Sequence, residues 1–203
     1  ATSGYLLVKG VEFLNGTKKD VKIPFTISGG AMTLQGKVPV SVEYPVDIYV
    51  THVTLGGQEV PVKGGQFLVF SGKTTDLLSG LDFAELGLTS LVTIQAVDSA
   101  GSPRSDWTVL VRYGNLTVAQ GAGQLQLVLP RSDVLEMPYT VNVVTNVYTP
   151  DGKALVKSQT LDLRQRFVSL QIPIATVKAV VQAVDGFGNV RSDWPVVIEN
   201  VAT

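Results

Sequence analysis

Apolar and polar residues alternate in short bursts along this 203-residue chain, as in Val21-Lys-Ile-Pro-Phe-Thr-Ile27, Tyr44-Pro-Val-Asp-Ile-Tyr-Val50, Ser90-Leu-Val-Thr-Ile-Gln-Ala-Val97 and Tyr139-Thr-Val-Asn-Val143. A period of two places successive side chains on opposite faces of an extended strand, so each burst predicts a β-strand with one buried face. Twenty glycines and ten prolines punctuate the bursts. Their spacing of about 8–12 residues is the rhythm of an all-β sandwich, and no long 3.6-residue stripe competes with it. Helix is expected at most over Asp76–Leu86.

The bursts belong to a duplication. Nine of thirteen positions recur between Gln95-Ala-Val-Asp98-x-x-Gly101-x-x-Arg104-Ser-Asp-Trp107 and Gln182-Ala-Val-Asp185-x-x-Gly188-x-x-Arg191-Ser-Asp-Trp194, without a shift of register. The likeness extends upstream, where Tyr44-x-Val-x-Ile-x-Val and Gly57 match Tyr139-x-Val-x-Val and Gly152. The two matches are offset by 95 and 87 residues, so the first copy carries eight extra residues, placed by the sequence between Lys63 and Leu88. Loops lengthen at little entropic cost, which makes such an insertion cheap. The expected fold is therefore all-β: two tandem sandwich domains related by internal duplication, over residues 21–112 and 113–203, preceded by an extra strand and hinge over 1–20. No flexible linker separates the halves, and a stiff rod is the natural product.

Composition narrows the function. Hydrophobic residues make up 45% of the chain and charged residues 16%, with a mean hydropathy of +0.27, which is apolar for a dissolved monomer. Part of that surface is expected to meet another chain. Sixteen basic and seventeen acidic residues leave a net charge of −1, too little field to steer nucleic acid. There is no cysteine, hence no disulfide and no thiolate metal site. The start Ala1-Thr2-Ser3 suits cleavage of a signal peptide, and no stretch reaches the ~20 apolar residues of a membrane span. These features predict an exported, extracellular or cell-surface protein.

Each repeated Asp-x-x-Gly lies between a strand ending in Ala-Val and one opening at tryptophan, where a hairpin needs an Asx turn and a residue with positive φ. Asp98 with Asp106, or Asp185 with Asp193, offers too few oxygens for calcium. Trp107 and Trp194 read as packing residues, and Arg104 and Arg191 as partners of the adjacent aspartates or aromatics. The segment Gln182-Ala-Val-Asp-Gly-Phe-Gly-Asn-Val-Arg-Ser192 resembles the penultimate-strand hairpin of immunoglobulin-like and fibronectin-like domains in prokaryotic surface proteins. That resemblance implies two seven-strand Greek-key sandwiches, here without the cysteine pair of antibody domains.

The surplus amino-terminal segment is the functional clue. Tyr5-Leu-Leu-Val8 and Val11-Glu-Phe-Leu14 are strand-forming and apolar on both faces, and a polar hinge, Asn15-Gly-Thr-Lys-Lys-Asp20, follows. An unpaired apolar strand recruits other chains. Two placements are open: it folds back as the first strand of its own domain, or it completes a neighbour's sheet and so builds a head-to-tail filament. In the second case Tyr5, Leu6, Leu7, Val8, Val11, Phe13 and Leu14 are the subunit interface. With the tandem sandwich and the absence of cysteine, the chain is similar to subunits of archaeal extracellular threads. Those are immunoglobulin-like glycoproteins polymerised through an amino-terminal donor strand, and the resemblance implies a homopolymer here. Asn15-Gly-Thr17 and Asn115-Leu-Thr117 are sequons that would accept N-linked glycans in a glycosylating export system.

No catalytic constellation appears, and no cofactor or metal is expected. His52 is the single histidine, placed within a strand. Gly-x-Ser-x-Gly, His-Glu-x-x-His and a phosphate-binding glycine loop are absent. Carboxylate pairs such as Asp47 with Glu59 have no separation fixed by sequence. The alternative to a filament subunit is a monomeric adhesin or carbohydrate-binding module, in which Trp107 and Trp194 would be solvent-accessible. A virion or phage surface protein shares the same fold expectation.

Overall fold

A computed structural model describes residues 2–28, 31–37, 43–79, 82–83, 85–149, 151–175 and 180–197. The chain is all-β. Its strands are β1 (Thr2–Glu12), β2 (Lys18–Ser28), β3 (Ala31–Leu34), β4 (Pro45–Leu55), β5 (Gln58–Pro61), β6 (Phe67–Lys73), β7 (Thr89–Val97), β8 (Thr108–Tyr113), β9 (Leu116–Ala122), β10 (Gln124–Pro130), β11 (Tyr139–Tyr148), β12 (Ala154–Leu161) and β13 (Phe167–Pro173). All four alternating bursts named above lie within strands, in β2, at Pro45–Val50 of β4, in β7 and in β11. Of the stretch expected to be helical, the described residues hold only a 3-10 turn, Thr74–Ser79, and further turns; residues 80, 81 and 84 lie outside the description. An apolar run interrupted by glycine is too short to recover the cost of nucleating an α-helix.

The strands form three sheets. The first runs β3-β2-β1-β4-β5, with β6 also paired to β4, the second β10-β7-β13, and the third β12-β11-β8-β9. The order β2-β1-β4-β5 of the first sheet is the order β9-β8-β11-β12 of the third. Both β7 and β8 hydrogen-bond to strands that follow Tyr113: β7 to β10 and, in parallel, to β13, and β8 to β9 and β11. Thus residues 89–112 are built into the later half of the molecule. The second and third sheets stack as a sandwich, with Val92, Ile94 and Ala96 of β7, Val109 and Val111 of β8, and Val141 and Val143 of β11 all buried in one core.

The first sheet and the third differ in one excursion. Pro45 pairs with Lys73, 28 residues on, whereas Thr140 pairs with Thr160, 20 residues on. The difference of eight residues is taken up by β5, the 3-10 turn Lys63–Gly65 and the approach to β6. That places the surplus between Gly57 and Phe67, which begins ahead of the Lys63–Leu88 stretch and only overlaps its front. The excursion is used: the Lys63 amide donates to Val134 O at 2.8 Å and the Gly64 amide to Glu136 Oε1 at 2.9 Å, tying the first sheet to the loop before β11.

Candidate assembly site

The amino-terminal strand lies in the middle of its own sheet. β1 pairs with β2 along one edge and β4 along the other, Leu6 facing Ile23 and Ile48, Val8 facing Val21 and Val46. Leu6, Val8 and Val11 are buried. Tyr5 and Leu7 are half-buried on the opposite face, where the Tyr5 ring stacks on Tyr49 at 5.0 Å, lies under Lys22 Nζ at 3.7 Å and donates its hydroxyl to Gln66 Oε1 at 2.5 Å. Phe13 and Leu14 stand beyond the strand end, Phe13 largely exposed and Leu14 wholly so. The sequence grouped all seven residues; the structure seats five in the sheet and leaves two in the turn to β2.

Next to Leu7 on β4 is Asp47, a buried carboxylate. It meets Lys9 Nζ at 2.5 Å and accepts the Ser71 hydroxyl at 2.6 Å, and these contacts, Lys9 first, hold its pKa below the ordinary carboxylate range. Glu59 lies on β5 opposite Thr54, seven residues further along β4 than Asp47. At ~3.3 Å per residue the two carboxylates are about 23 Å apart and cannot act together. His52 sits in β4 between Ser3 and Pro61, its Nδ1 at 3.1 Å from Thr51 Oγ1. The cleft of about 640 Å³ beside Lys9, Glu12, Lys18, Glu43 and Tyr44 holds an internally paired set of charges, with Lys18 Nζ at 3.7 Å from Glu12.

The two copies of the repeated motif adopt the same local hairpin. Asp98 accepts the amides of Ala100 and Ser102, both at 2.9 Å, and Asp185 those of Phe187 at 2.9 Å and Asn189 at 3.0 Å. Gly101 and Gly188 supply the positive φ, 78° and 83°, that closes each turn. Bridges join Val97 to Pro103 and Val184 to Val190, and the Arg104 and Arg191 amides donate to Ala96 O and Ala183 O. Both arginines grip the aspartate two residues on with two hydrogen bonds and lie over the tryptophan that follows, at 4.5 Å and 5.0 Å. The aspartates are therefore occupied by turn amides and guanidinium groups. Asp106, which also accepts from Asn146 Nδ2, is held at a pKa of about 2, chiefly by Arg104.

The surroundings of the two hairpins differ. Trp107 is 1% exposed and donates its indole N–H to Asn146 Oδ1 at 3.0 Å, whereas Trp194 is 46% exposed. Ile94, Ala96 and Val97 of the first copy are buried; Val181 and Val184, which stand 87 residues later at the places of Ile94 and Val97, are each 53% exposed, and Phe187 is 93% exposed. Sequence identity gave the hairpin but not this contrast, since burial depends on which strands arrive from elsewhere. Asn15 and Asn115 are both exposed, Asn15 with its side-chain oxygen accepting the Thr17 amide and hydroxyl.

The chain matches no protein-family model and no curated protein. Among the described residues no group of three or more His, Cys, Asp or Glu side chains is placed to hold a metal ion, and no helix is long and apolar enough to cross a membrane.

Proposed function

We propose that this chain is a structural subunit of an extracellular filament, a rod of immunoglobulin-like sandwiches related by duplication, whose copies join head to tail through exchanged strands. The observation that carries this reading is the unhoused second hairpin, identical in local geometry to one buried 87 residues earlier, yet with Val181, Val184 and Trp194 open to solvent. Matching strand orders in the first and third sheets support the duplication. The repeat then turns over near Leu88, where β7 begins a unit, and not near Arg112.

In this reading β1 is the exchangeable element. Its contacts with β2 and β4 are made here within one chain, and the same contacts form between chains if the exposed turn over residues 13–17 opens. Exchange of an identical element costs little at equilibrium because no contact is lost. Asn15 and Asn115 would carry N-linked glycans on the filament surface. Light scattering coupled to size exclusion, on the full chain and on a version lacking residues 1–14, tests this. Polymers from the first and not from the second, with polymerisation blocked by a peptide of residues 5–15, are expected. A full chain that stays monomeric, with the truncation merely unfolding, would overturn it.

A carbohydrate-binding reading retains one observation, the exposed Phe187 and Trp194 at one end of the molecule. Saturable quenching of tryptophan emission by an oligosaccharide would favour it over assembly.

A further inference from the structure

The outer strands of the sheets are guarded in different ways. β3 and β5 are four residues long, β6 is bulged against β4 and ends in Lys73, and β12 carries an exposed Lys157. β9 bends through Gly123 straight into β10, which closes that side of the sandwich. β13 has none of these devices before its final Pro173. It pairs with β7 in unbroken register from Phe167–Leu91 to Pro173–Val97, carries no charged residue, and has no neighbour on its other side among the described residues. The direction of its free backbone groups is fixed by the bonds to β7. The Leu91 amide donates to Arg166 O at 2.8 Å and the Ile174 amide to Val97 O at 3.0 Å, so the even-numbered residues of β13 turn their backbone groups to β7. Phe167, Ser169, Gln171 and Pro173 turn theirs outward, and their side chains are exposed, while the half-buried Val168 and Leu170 pack against the core. Phe-Val-Ser-Leu-Gln-Ile-Pro has the same polarity read from either end: apolar at 167, 168, 172 and 173, polar at 169 and 171, with Leu170 at the centre. Such a strand is complementary to itself run backwards.

We propose that β13 pairs antiparallel with β13 of a second copy of this chain, about a twofold axis at Leu170. Ser169 then faces Gln171 of the second copy, and because both turn their backbone groups outward they exchange amide–carbonyl bonds. Phe167 faces Pro173, which has no N–H to give, and Leu170 meets its own copy at a position without main-chain bonds. On the core side Val168 meets Ile172, and the half-buried Val168 and Leu170 lose their remaining exposure. A register one residue off sets outward groups against inward ones, and one two residues off shortens the overlap. Arg166, next in the chain, is already paired with Asp82 at 3.5 Å and Glu85 at 3.3 Å, so no free charge from that residue opposes the contact. The pairing makes one continuous sheet of two three-stranded ones. A twofold contact closes on itself, so it is separate from head-to-tail exchange: it joins two filaments sideways, or two chains where no filament forms.

The test uses variants of the full chain. Leu170→Cys puts the only thiol on the twofold, where facing residues lie about 4.5 Å apart between Cα atoms, within disulfide reach. Mild oxidation should give a covalent dimer, at least about tenfold more than from Val128→Cys on the exposed face of β10. Ser169→Pro removes an amide that points to the free edge, a place where a strand tolerates proline, so the monomer should melt as before. In sedimentation velocity from about 1 µM to about 1 mM, with the peptide of residues 5–15 present to cap β1 exchange, the unaltered chain should stop at dimers. Ser169→Pro should weaken that dimer by about thirtyfold or more. Dimers as tight in Ser169→Pro as in the unaltered chain, no excess cross-linking at Leu170→Cys, or a chain still monomeric at about 1 mM each overturn the pairing. The two assemblies fail separately: without the peptide, Ser169→Pro should lose the dimer and keep the polymers, whereas an unaltered chain that forms dimers and never polymers sinks the filament and supports this edge.

Discussion

At the scale of the residue, Trp107 and Trp194 show how far a side chain's role is set outside its own segment. Both follow an Arg-Ser-Asp triplet, and both lie under the guanidinium of that triplet's arginine. Only Trp107 has a donor–acceptor partner in Asn146 and a glycine, Gly123, whose amide bonds its carbonyl at 2.7 Å. Gly123 has φ of 70°, and a Cβ there would collide with the backbone of Arg104 and Ser105, so no other residue fits against the turn that leads into Trp107. Truncating Trp107 to alanine opens a large core cavity and should cost about 3–5 kcal/mol. Truncating Trp194 removes a half-exposed ring and should move the monomer's stability by no more than about 0.5 kcal/mol. Urea unfolding of the two variants measures the contrast. Equal losses would mean that the tail hairpin is housed in the single chain, against the exposure seen here. The sequence made the two tryptophans equivalent, because the residues that separate them, Gly123 at the bend between β9 and β10 and Asn146 in β11, lie outside the repeated motif.

At the scale of the element, strands were legible and their pairing was not. Period-two alternation located β2, β4, β7 and β11, and the same signal is present in Gln124-Leu-Gln-Leu-Val-Leu129 and Phe167-Val-Ser-Leu-Gln-Ile172, which form β10 and β13. Nothing in that alternation says that β13 runs parallel to β7 or that β7 belongs with strands after Tyr113. Alternation fixes which face of a strand is buried, while pairing is chosen by shape across the sheet. The apolar residues on both faces of β1 left two placements open, within its own sheet or in a neighbour's; in the single chain it is hydrogen-bonded between β2 and β4, with Leu6 and Val8 buried on one face and Tyr5 and Leu7 half-buried on the other. Its close approach to β4 is made at Gly4, where a Cβ would collide with Tyr49 O. Gly4→Ala must push β1 from β4 and should lower stability by about 2 kcal/mol, within the usual range for overpacking. A thermal melt of that variant coinciding with the unaltered chain's would show that β1 is not held against β4 as described.

At the scale of the whole molecule, the question is whether the two halves behave as beads or as one rod. The buried residues form a single core cluster that runs from Leu6 and Val8 of β1 through Leu55 and Val62 to Val134, Leu135 and Tyr139. The joint is reinforced where the eight-residue excursion reaches across, at Lys63–Val134 and Gly64–Glu136. It is also close at the β4–β5 turn: Gly56 has φ of 52°, and a Cβ there would come 2.6 Å from Thr117 O of β9. A continuous core makes unfolding cooperative across both halves, so calorimetry of the chain at a concentration where it is monomeric should show one transition whose calorimetric and van't Hoff enthalpies agree. Gly56→Ala adds left-handed strain and a backbone collision at the joint, together costing about 1–3 kcal/mol. Because that cost falls on the contact between halves and on neither interior, the variant should broaden or split the transition while leaving amide protection in β7, β8 and β11 intact. Two separate transitions in the parent chain would make the halves beads, each opening independently. A single transition would mean that, in the proposed filament, tension entering at β1 is shared by the later sandwich before either sheet opens.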